Sequence, residues 1–288
     1  MRLVAFDKSG KAGLALRQDN KLIDLARLDA AWPDDLADLL RLGPPAMAKL
    51  GEQAAAAPKS AWEDFSGVRL RPPTMRAGKI ICLGLNYVDH AAESGFTKPE
   101  YPVLFMRAAT SLVAHGEAII RPRCSEQLDF EGEMVAFVGK TGRHIAKGDA
   151  LKHIAGYSVF NDASIRDYQL RTPQWTIGKN FDATGGFGPE FVSADEVPPG
   201  AKGLKIQTRL NGNVVQDANT SDMVFDIEET VAILSECITL EAGDVLVMGT
   251  PAGVGLGRKP PLWMKPGDVC EVEIEKIGIL RNPIAMEG

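Results

Sequence analysis

Leu3-Val4-Ala5-Phe6 and Leu14-Ala15-Leu16 are short apolar runs flanking the polar stretch Lys8-Ser9-Gly10-Lys11. That spacing predicts two strands around a turn. An Ala/Leu-rich zone from Asp34 to Ala57 predicts helix, broken at Gly43-Pro44-Pro45, because proline cannot continue a helix it did not start. Consecutive prolines at Arg71-Pro72-Pro73-Thr74 mark a linker. The expected organisation is therefore a small N-terminal α/β domain, residues 1–72, and a larger unit, residues 73–288. The larger unit opens with a continuous apolar run, Lys79-Ile80-Ile81-Cys82-Leu83-Gly84, as a buried strand does. Asn211-Gly212 between Leu204–Leu210 and Val214–Gln216 predicts a hairpin. Asp226-Ile227-Glu228-Glu229 is a helix-start pattern, and Ile227, Val231 and Leu234 form one helical stripe. Val245-Leu246-Val247-Met248 reads as a buried strand. Cys270, Val272 and Ile274 alternate with Glu271, Glu273 and Glu275, the period of a half-exposed strand. Strands predominate, and no βαβ rhythm persists that would make a doubly wound sheet. The predicted class is α+β, mostly β.

A chain of 288 residues with 45% hydrophobic residues has ample material for a large core. Its net charge of -6, with both signs interspersed, argues against nucleic acid as a partner. The first residues are too short an apolar run for a signal peptide, and no run approaches the ~20 apolar residues of a membrane span. Cys82, Cys124, Cys237 and Cys270 are scattered and never cluster with the four His. That pattern argues against zinc and predicts reduced core thiols in a cytoplasmic protein.

One stretch departs from the apolar pattern. Asp129-Phe130-Glu131-Gly132-Glu133-Met134-Val135-Ala136-Phe137-Val138, read as a strand, puts Glu131, Glu133, Val135 and Phe137 on one face. Two like charges on a buried face are costly, and a hard divalent cation such as Mg²⁺ is the simplest remedy. Asp162 ends another apolar run, Ile154 to Asn161, and completes a three-carboxylate set; an Asp before a helix also serves as an N-cap. His90 and Glu93 are three residues apart, so a helix would align them as an oriented base, although such a pair also occurs on solvated helices. Lys179, among apolar and small residues, is either an oxyanion donor or a surface lysine. The turn Gly249-Thr250-Pro251-Ala252-Gly253-Val254-Gly255 follows a strand, and its amides suit a carboxylate. It lacks the spacing of a dinucleotide site.

Five motifs in order resemble the fumarylacetoacetate hydrolase family: Gly84-Leu85-Asn86-Tyr87-Val88-Asp89-His90, Asp129-x-Glu131-x-Glu133, Asn161-Asp162-x-x-x-Arg166-Asp167-x-Gln169, Lys179, and Gly249-Thr250-Pro251-x-Gly253-Val254-Gly255. The resemblance spans residues 73–288. It implies a mixed β-sandwich roll, homodimeric, with Glu131, Glu133 and Asp162 holding Mg²⁺ or Mn²⁺ (or Ca²⁺). It implies that His90 and Glu93 activate water, that Lys179 meets the oxyanion, and that Thr250, Arg166 and Gln169 line the substrate site. Arg107 stands where many members carry Lys, in a segment expected to approach the substrate. The implied activity is metal-dependent hydrolysis of a carbon–carbon bond in a 2,4-dioxo acid, the substrate being a small 2-oxo acid. Oxaloacetate decarboxylation or dioxo-acid isomerisation are the alternatives. The segment Tyr87 to Glu100 is expected to close over the substrate.

Overall fold

The computed structural model describes residues 1–8, 10–88 and 99–288. The strand Gly132–Val138 is buried along its whole length. Its side chains alternate between two cores, which explains a run with no polar face. Met134, Ala136 and Val138 pack with Ile227, Val231 and Leu234 of the helix Ile227–Cys237, and with Ile206, Val272 and Ile274. Val135 and Phe137 pack on the other side with Phe187, Phe191, Leu3, Leu14 and Leu36.

This strand sits inside a twelve-stranded mixed sheet. Ten of its strands follow in the order Glu63–Asp64, Lys21–Asp24, Lys11–Gln18, Arg2–Lys8, Gly185–Ser193, Ile154–Asp162, Gly132–Val138, Val245–Val247, Ile80–Gly84 and Val103–Met106, and the other two, Arg69–Leu70 and Leu112–Ala114, pair with Arg2–Lys8 and Gly185–Ser193. A second sheet of five strands runs Asn213–Asn219, Lys205–Leu210, Val269–Ile274, Gly278–Met286 and Ile119–Arg121. The Asn211-Gly212 turn that starts it has both residues at positive φ, 52° and 79°, as a tight hairpin requires and as Asn-Gly supplies at low cost. Both sheets mix parallel and antiparallel pairs, and the molecule is mostly β, as expected.

The N-terminal segment joins the large sheet. Arg2–Lys8 pairs with Gly185–Ser193, and Arg2 and Arg17 reach the buried Glu190 at 2.7 and 3.0 Å. Leu3, Leu14, Leu36 and Leu39 share a core with Val135 and Phe187. Sheet pairing and core packing thus continue across residue 72. Two readings need adjustment. The stretch from Asp129 is two strands, Leu128–Asp129 and Gly132–Val138, with Phe130 and Glu131 between them. Cys82 and Cys270 are buried, but Cys124 and Cys237 are exposed, so only half of the thiols are core residues. Among the described residues, no helix is long and apolar enough to cross a membrane.

Candidate metal centre and substrate cavity

Three strand ends bring the carboxylates together. Asp162 is the last residue of Ile154–Asp162. Its N–H donates to the Glu131 carbonyl at 2.8 Å, and the Glu131 N–H donates to Asn161 Oδ1 at 3.0 Å. The short helix Arg166–Gln169 has Ile165 at its N-cap without a side-chain bond, so Asp162 caps nothing. Glu133 enters from the second position of Gly132–Val138, on the Val135 and Phe137 face. One oxygen from each of Glu131, Glu133 and Asp162 lies within 4.8 Å of the others. The intervening residue must be glycine: a Cβ at Gly132 would stand 2.2 Å from Thr208 Oγ1 and 3.0 Å from Val272 Cγ1.

Three cations are buried against these acids. Lys179 ends the short helix Thr176–Lys179, and its Nζ donates to Glu131 Oε2 at 2.5 Å and Asp162 Oδ2 at 2.6 Å. Arg166 lies 2.6 Å from Glu131 Oε1 and 2.8 Å from Asp129 Oδ2, and donates to Gln169 Oε1 at 2.8 Å. Arg107 pairs with Asp162 through Nη1, donates from Nη2 to Thr184 Oγ1 at 2.8 Å, and from Nε to Ser111 Oγ at 3.2 Å.

Glu133 is the exception. Its partners among the described residues include the Gly249 N–H, 2.6 Å from Oε2, and no cation. Burial, followed by repulsion from Asp162 and Glu131, pushes its pKa well above the usual carboxylate value, with Lys179 and the Gly249 amide acting against this. For Lys179, burial works against the charge, but the pull of Asp162 and Glu131 outweighs it and the pKa rises. Arg166 is likewise raised, by Glu131 and Asp129 against burial. Among the described residues the buried cluster holds four carboxylates, Asp129, Glu131, Glu133 and Asp162, against Arg107, Arg166 and Lys179. With all of them ionised, that is one negative charge in excess, centred on the carboxylate without a cation.

A cavity of ≈ 190 Å³ opens onto this cluster. Glu131, Glu133, Arg166, Gln169, Lys179 and Thr250 form its polar wall; Leu83, Leu85, Phe105, Trp175 and Leu256 form its apolar wall. The residues expected at the site from the sequence thus meet here, with two qualifications. Arg107 lies behind Asp162, with its side chain fully buried, and is not part of the cavity lining. Its guanidinium holds a carboxylate in place rather than facing a substrate. His90 and Glu93, with most of the segment Tyr87 to Glu100, lie outside the described residues.

The turn after Val245–Val247 also differs from expectation. Its amides do bind carboxylates, but the chain's own: Gly249 N–H serves Glu133, while the Gly255 and Leu256 N–H groups donate to Asp129 at 2.7 and 2.9 Å. Asp129 was legible only as part of a motif; its role is to tie this turn to Arg166. Two other residues had no role assigned to them from the sequence. Asn86 donates to the carbonyls of Phe225 and Met248 at 3.0 and 2.7 Å and so pins the turn from behind. Gln216 bonds Thr250 from the second sheet.

A divalent cation fits this donor set. Carboxylate oxygens are the ligands hard cations prefer, and the charged form of the buried Glu133 calls for a positive partner.

The family described as Fumarylacetoacetate (FAA) hydrolase C-terminal matches residues 79–285. The mitochondrial oxaloacetate tautomerase fahd2 of Xenopus laevis is 38% identical over 99% of this chain and 90% of its own length. Among solved structures, the fumarylacetoacetate hydrolase of the psychrophile Exiguobacterium antarcticum superposes with a TM-score of 0.87 at 33% identity, covering 100% of both chains. The maleylpyruvate hydrolase of Sphingobium sp. SYK-6, solved with manganese(II) and pyruvate, superposes with a TM-score of 0.83 at 26% identity, again over 100% of both chains.

Proposed function

The chain belongs to the fumarylacetoacetate hydrolase family, and we propose that within it the chain is a divalent-cation-dependent tautomerase of oxaloacetate. The observation that carries this reading is the buried carboxylate triad Glu131, Glu133 and Asp162 at the cavity, in a cluster of four acids against three cations, with the hydrogen-bond donors of the cavity wall facing it. Glu131, Glu133 and Asp162 would hold Mg²⁺ or Mn²⁺, which carboxylate ligands suit equally; Ca²⁺ is accommodated by the same chemistry. When bound, the cation would supply Lewis acidity to a 2-oxo acid. With it the excess charge would go from -1 to +1, which one of the two carboxylates of oxaloacetate would neutralise.

The residues supply the rest. Lys179 Nζ uses two of its N–H groups on Glu131 and Asp162 and has a third to offer the substrate's C2 oxygen. A donor there stabilises charge that develops as the C3 proton leaves. Gln169 accepts from Arg166 through Oε1, which turns its amide N–H groups outward as donors. His90, oriented by Glu93, is assigned the proton transfer at C3 on the strength of the sequence resemblance. The apolar wall keeps bulk water from the carbanion. The relatives named as oxaloacetate tautomerases, matched over 99% of the chain, support this reaction.

Hydrolysis of a 2,4-dioxo acid is the second reading. The structural likeness to a maleylpyruvate hydrolase holding manganese and pyruvate favours it, and the same residues would serve, with His90 acting on water. One set of assays separates them. Enol–keto exchange of oxaloacetate faster than in buffer, abolished by a chelator and without pyruvate release, supports the tautomerase. Pyruvate and a carboxylic acid from an acylpyruvate support hydrolysis. Pyruvate and carbon dioxide from oxaloacetate mark a decarboxylase instead. We also propose a homodimer, to be tested by light scattering on the eluting peak. A reducing, cytoplasmic setting is proposed from the four free cysteines.

A further inference from the structure

Gln216 lies outside the cavity lining, yet it decides what one wall of the cavity presents. It is buried in the strand Asn213–Asn219 of the second sheet. Its side-chain amide is held from four directions. Oε1 accepts from Thr208 Oγ1 at 2.7 Å and from the Gly132 N–H at 3.0 Å. Nε2 donates to Thr250 Oγ1 and to the Pro251 carbonyl, both at 2.8 Å. A backbone N–H can only donate and a carbonyl can only accept, so Gly132 and Pro251 together fix which end of the amide is oxygen and which is nitrogen.

The consequence falls on Thr250. A hydroxyl has one proton and two acceptor sites. Because Gln216 is bound to donate, Thr250 Oγ1 must accept on that side, and its proton is directed elsewhere. Thr250 lines the cavity beside Glu133 and Lys179, and the preceding residue, Gly249, is the one whose N–H holds Glu133. We propose that Gln216 is a positioning residue that makes Thr250 a hydrogen-bond donor toward the ligand, so that this wall selects an anionic acceptor, a carboxylate oxygen, at the position next to the cation. This rests on the reading of the cavity as a cation-dependent 2-oxo acid site. It also explains the demand for glycine between Glu131 and Glu133: any side chain at 132 would strike Thr208 Oγ1 and displace the group that holds Gln216.

The test is a double-mutant cycle on full-length protein, read by calorimetric binding of Mn²⁺ alone and then of oxalate to the Mn²⁺-loaded protein. Gln216→Met removes the enforced donor. Thr250→Val removes the hydroxyl and keeps the shape. Thr250→Ser keeps the hydroxyl. Each of the first two is expected to leave Mn²⁺ affinity within about threefold and to weaken oxalate by about tenfold or more, the range for a hydrogen bond to a charged group. The double variant should be no weaker than the worse single, because both remove the same bond. Thr250→Ser should bind oxalate like the parent. If Gln216→Met does not fold, Gln216→Glu serves, since a neutral carboxyl brings one proton to two acceptors; the loss is then smaller, in the same direction. Oxalate losses that multiply, a Gln216 variant binding oxalate normally, or an equal loss of Mn²⁺ affinity would each overturn the proposal. Failure of the parent protein to bind Mn²⁺ would instead sink the cation-site reading, and the inference with it.

Discussion

Replacing Glu133 with glutamine should make the metal-free protein more stable and the metal-loaded protein less stable. The substitution keeps the shape, and the new amide oxygen can still accept the Gly249 N–H at 2.6 Å. What it removes is a charge. Oxygens of Glu131, Glu133 and Asp162 lie within 4.8 Å of one another. At that separation two unit charges repel by about 3.5 kcal/mol at an effective dielectric of ~20. Lys179 offsets part of this, and Glu133 escapes more by holding a proton, since its pKa is raised well above the ordinary value. The recoverable share is on the order of 1–2 kcal/mol, and at about 2–4 °C per kcal/mol in a chain of this size it gives a Tm rise of roughly 2–8 °C in EDTA. With Mn²⁺ at about a hundred times its Kd, the parent gains ~2.7 kcal/mol and the variant nothing.

The pH dependence carries a sign that tests the cause. An acid whose folded pKa is raised binds a proton that the unfolded chain has already released, so stability falls as pH rises. For Glu133 the window opens near its ordinary value of 4.5 and extends up to the raised folded value. Thermal melts in EDTA should therefore show the advantage of Glu133→Gln widening as pH increases through that window. Melting curves with EDTA and with Mn²⁺, at several pH values, are the whole experiment. A glutamine variant that is less stable in EDTA, or is still stabilised by Mn²⁺, would refute the view of Glu133 as an uncompensated ligand.

Lys179→Met removes a donor that sits on two carboxylates, and kcat and kcat/KM should fall together by on the order of 10²–10³; a normal kcat would refute its role. Arg107→Lys cannot reproduce the spread of contacts to Asp162, Thr184 and Ser111, because a compact ammonium lacks the guanidinium fork. It should weaken Mn²⁺ by about tenfold while the KM measured at saturating metal stays within about threefold, and a raised KM with unchanged Mn²⁺ binding would return Arg107 to the substrate. Expressing residues 73–288 alone should give aggregated protein, since losing Arg2 and Arg17 leaves Glu190 buried without its cations, a defect of about 3–5 kcal/mol. A soluble, cooperatively melting fragment would establish 73–288 as a folding unit of its own.

Legibility in the sequence followed periodicity. The strands Ile80–Gly84, Val245–Val247 and Val269–Ile274 and the helix Ile227–Cys237 stand where apolar runs, alternation and a stripe placed them. Local spacing reports the environment of one element and nothing of which element lies next to it. The prolines near residue 72 mark a change of composition, and nothing in that local spacing foretells the pairing of Arg2–Lys8 with Gly185–Ser193, residues nearly two hundred positions apart. The break at Phe130 and Glu131 was hidden for a related reason: a strand and a two-residue interruption have the same alternation over so short a distance.

At the site, charge was legible and partnership was not. Glu131, Glu133 and Asp162 stand out because carboxylates are rare in apolar runs, and that rarity survives without any knowledge of the fold. Arg107 is different. In sequence it is one arginine after an apolar tetrapeptide, and the family resemblance led to the expectation that its segment approaches the substrate. Its actual environment is set by Thr184 and Ser111 on other segments and by the buried end of Ile154–Asp162. Once enclosed there, a guanidinium has to satisfy all of its donors, so it orients a ligand instead of meeting one. Gln216 follows the same logic more strongly, since a glutamine after Val214-Val215 has no charge to draw attention. Its meaning comes from four partners on three separate stretches of chain. Residues that contact the substrate are chosen for their chemistry, which composition reveals. Residues that orient them are chosen for where their hydrogen bonds end, which only the folded chain defines.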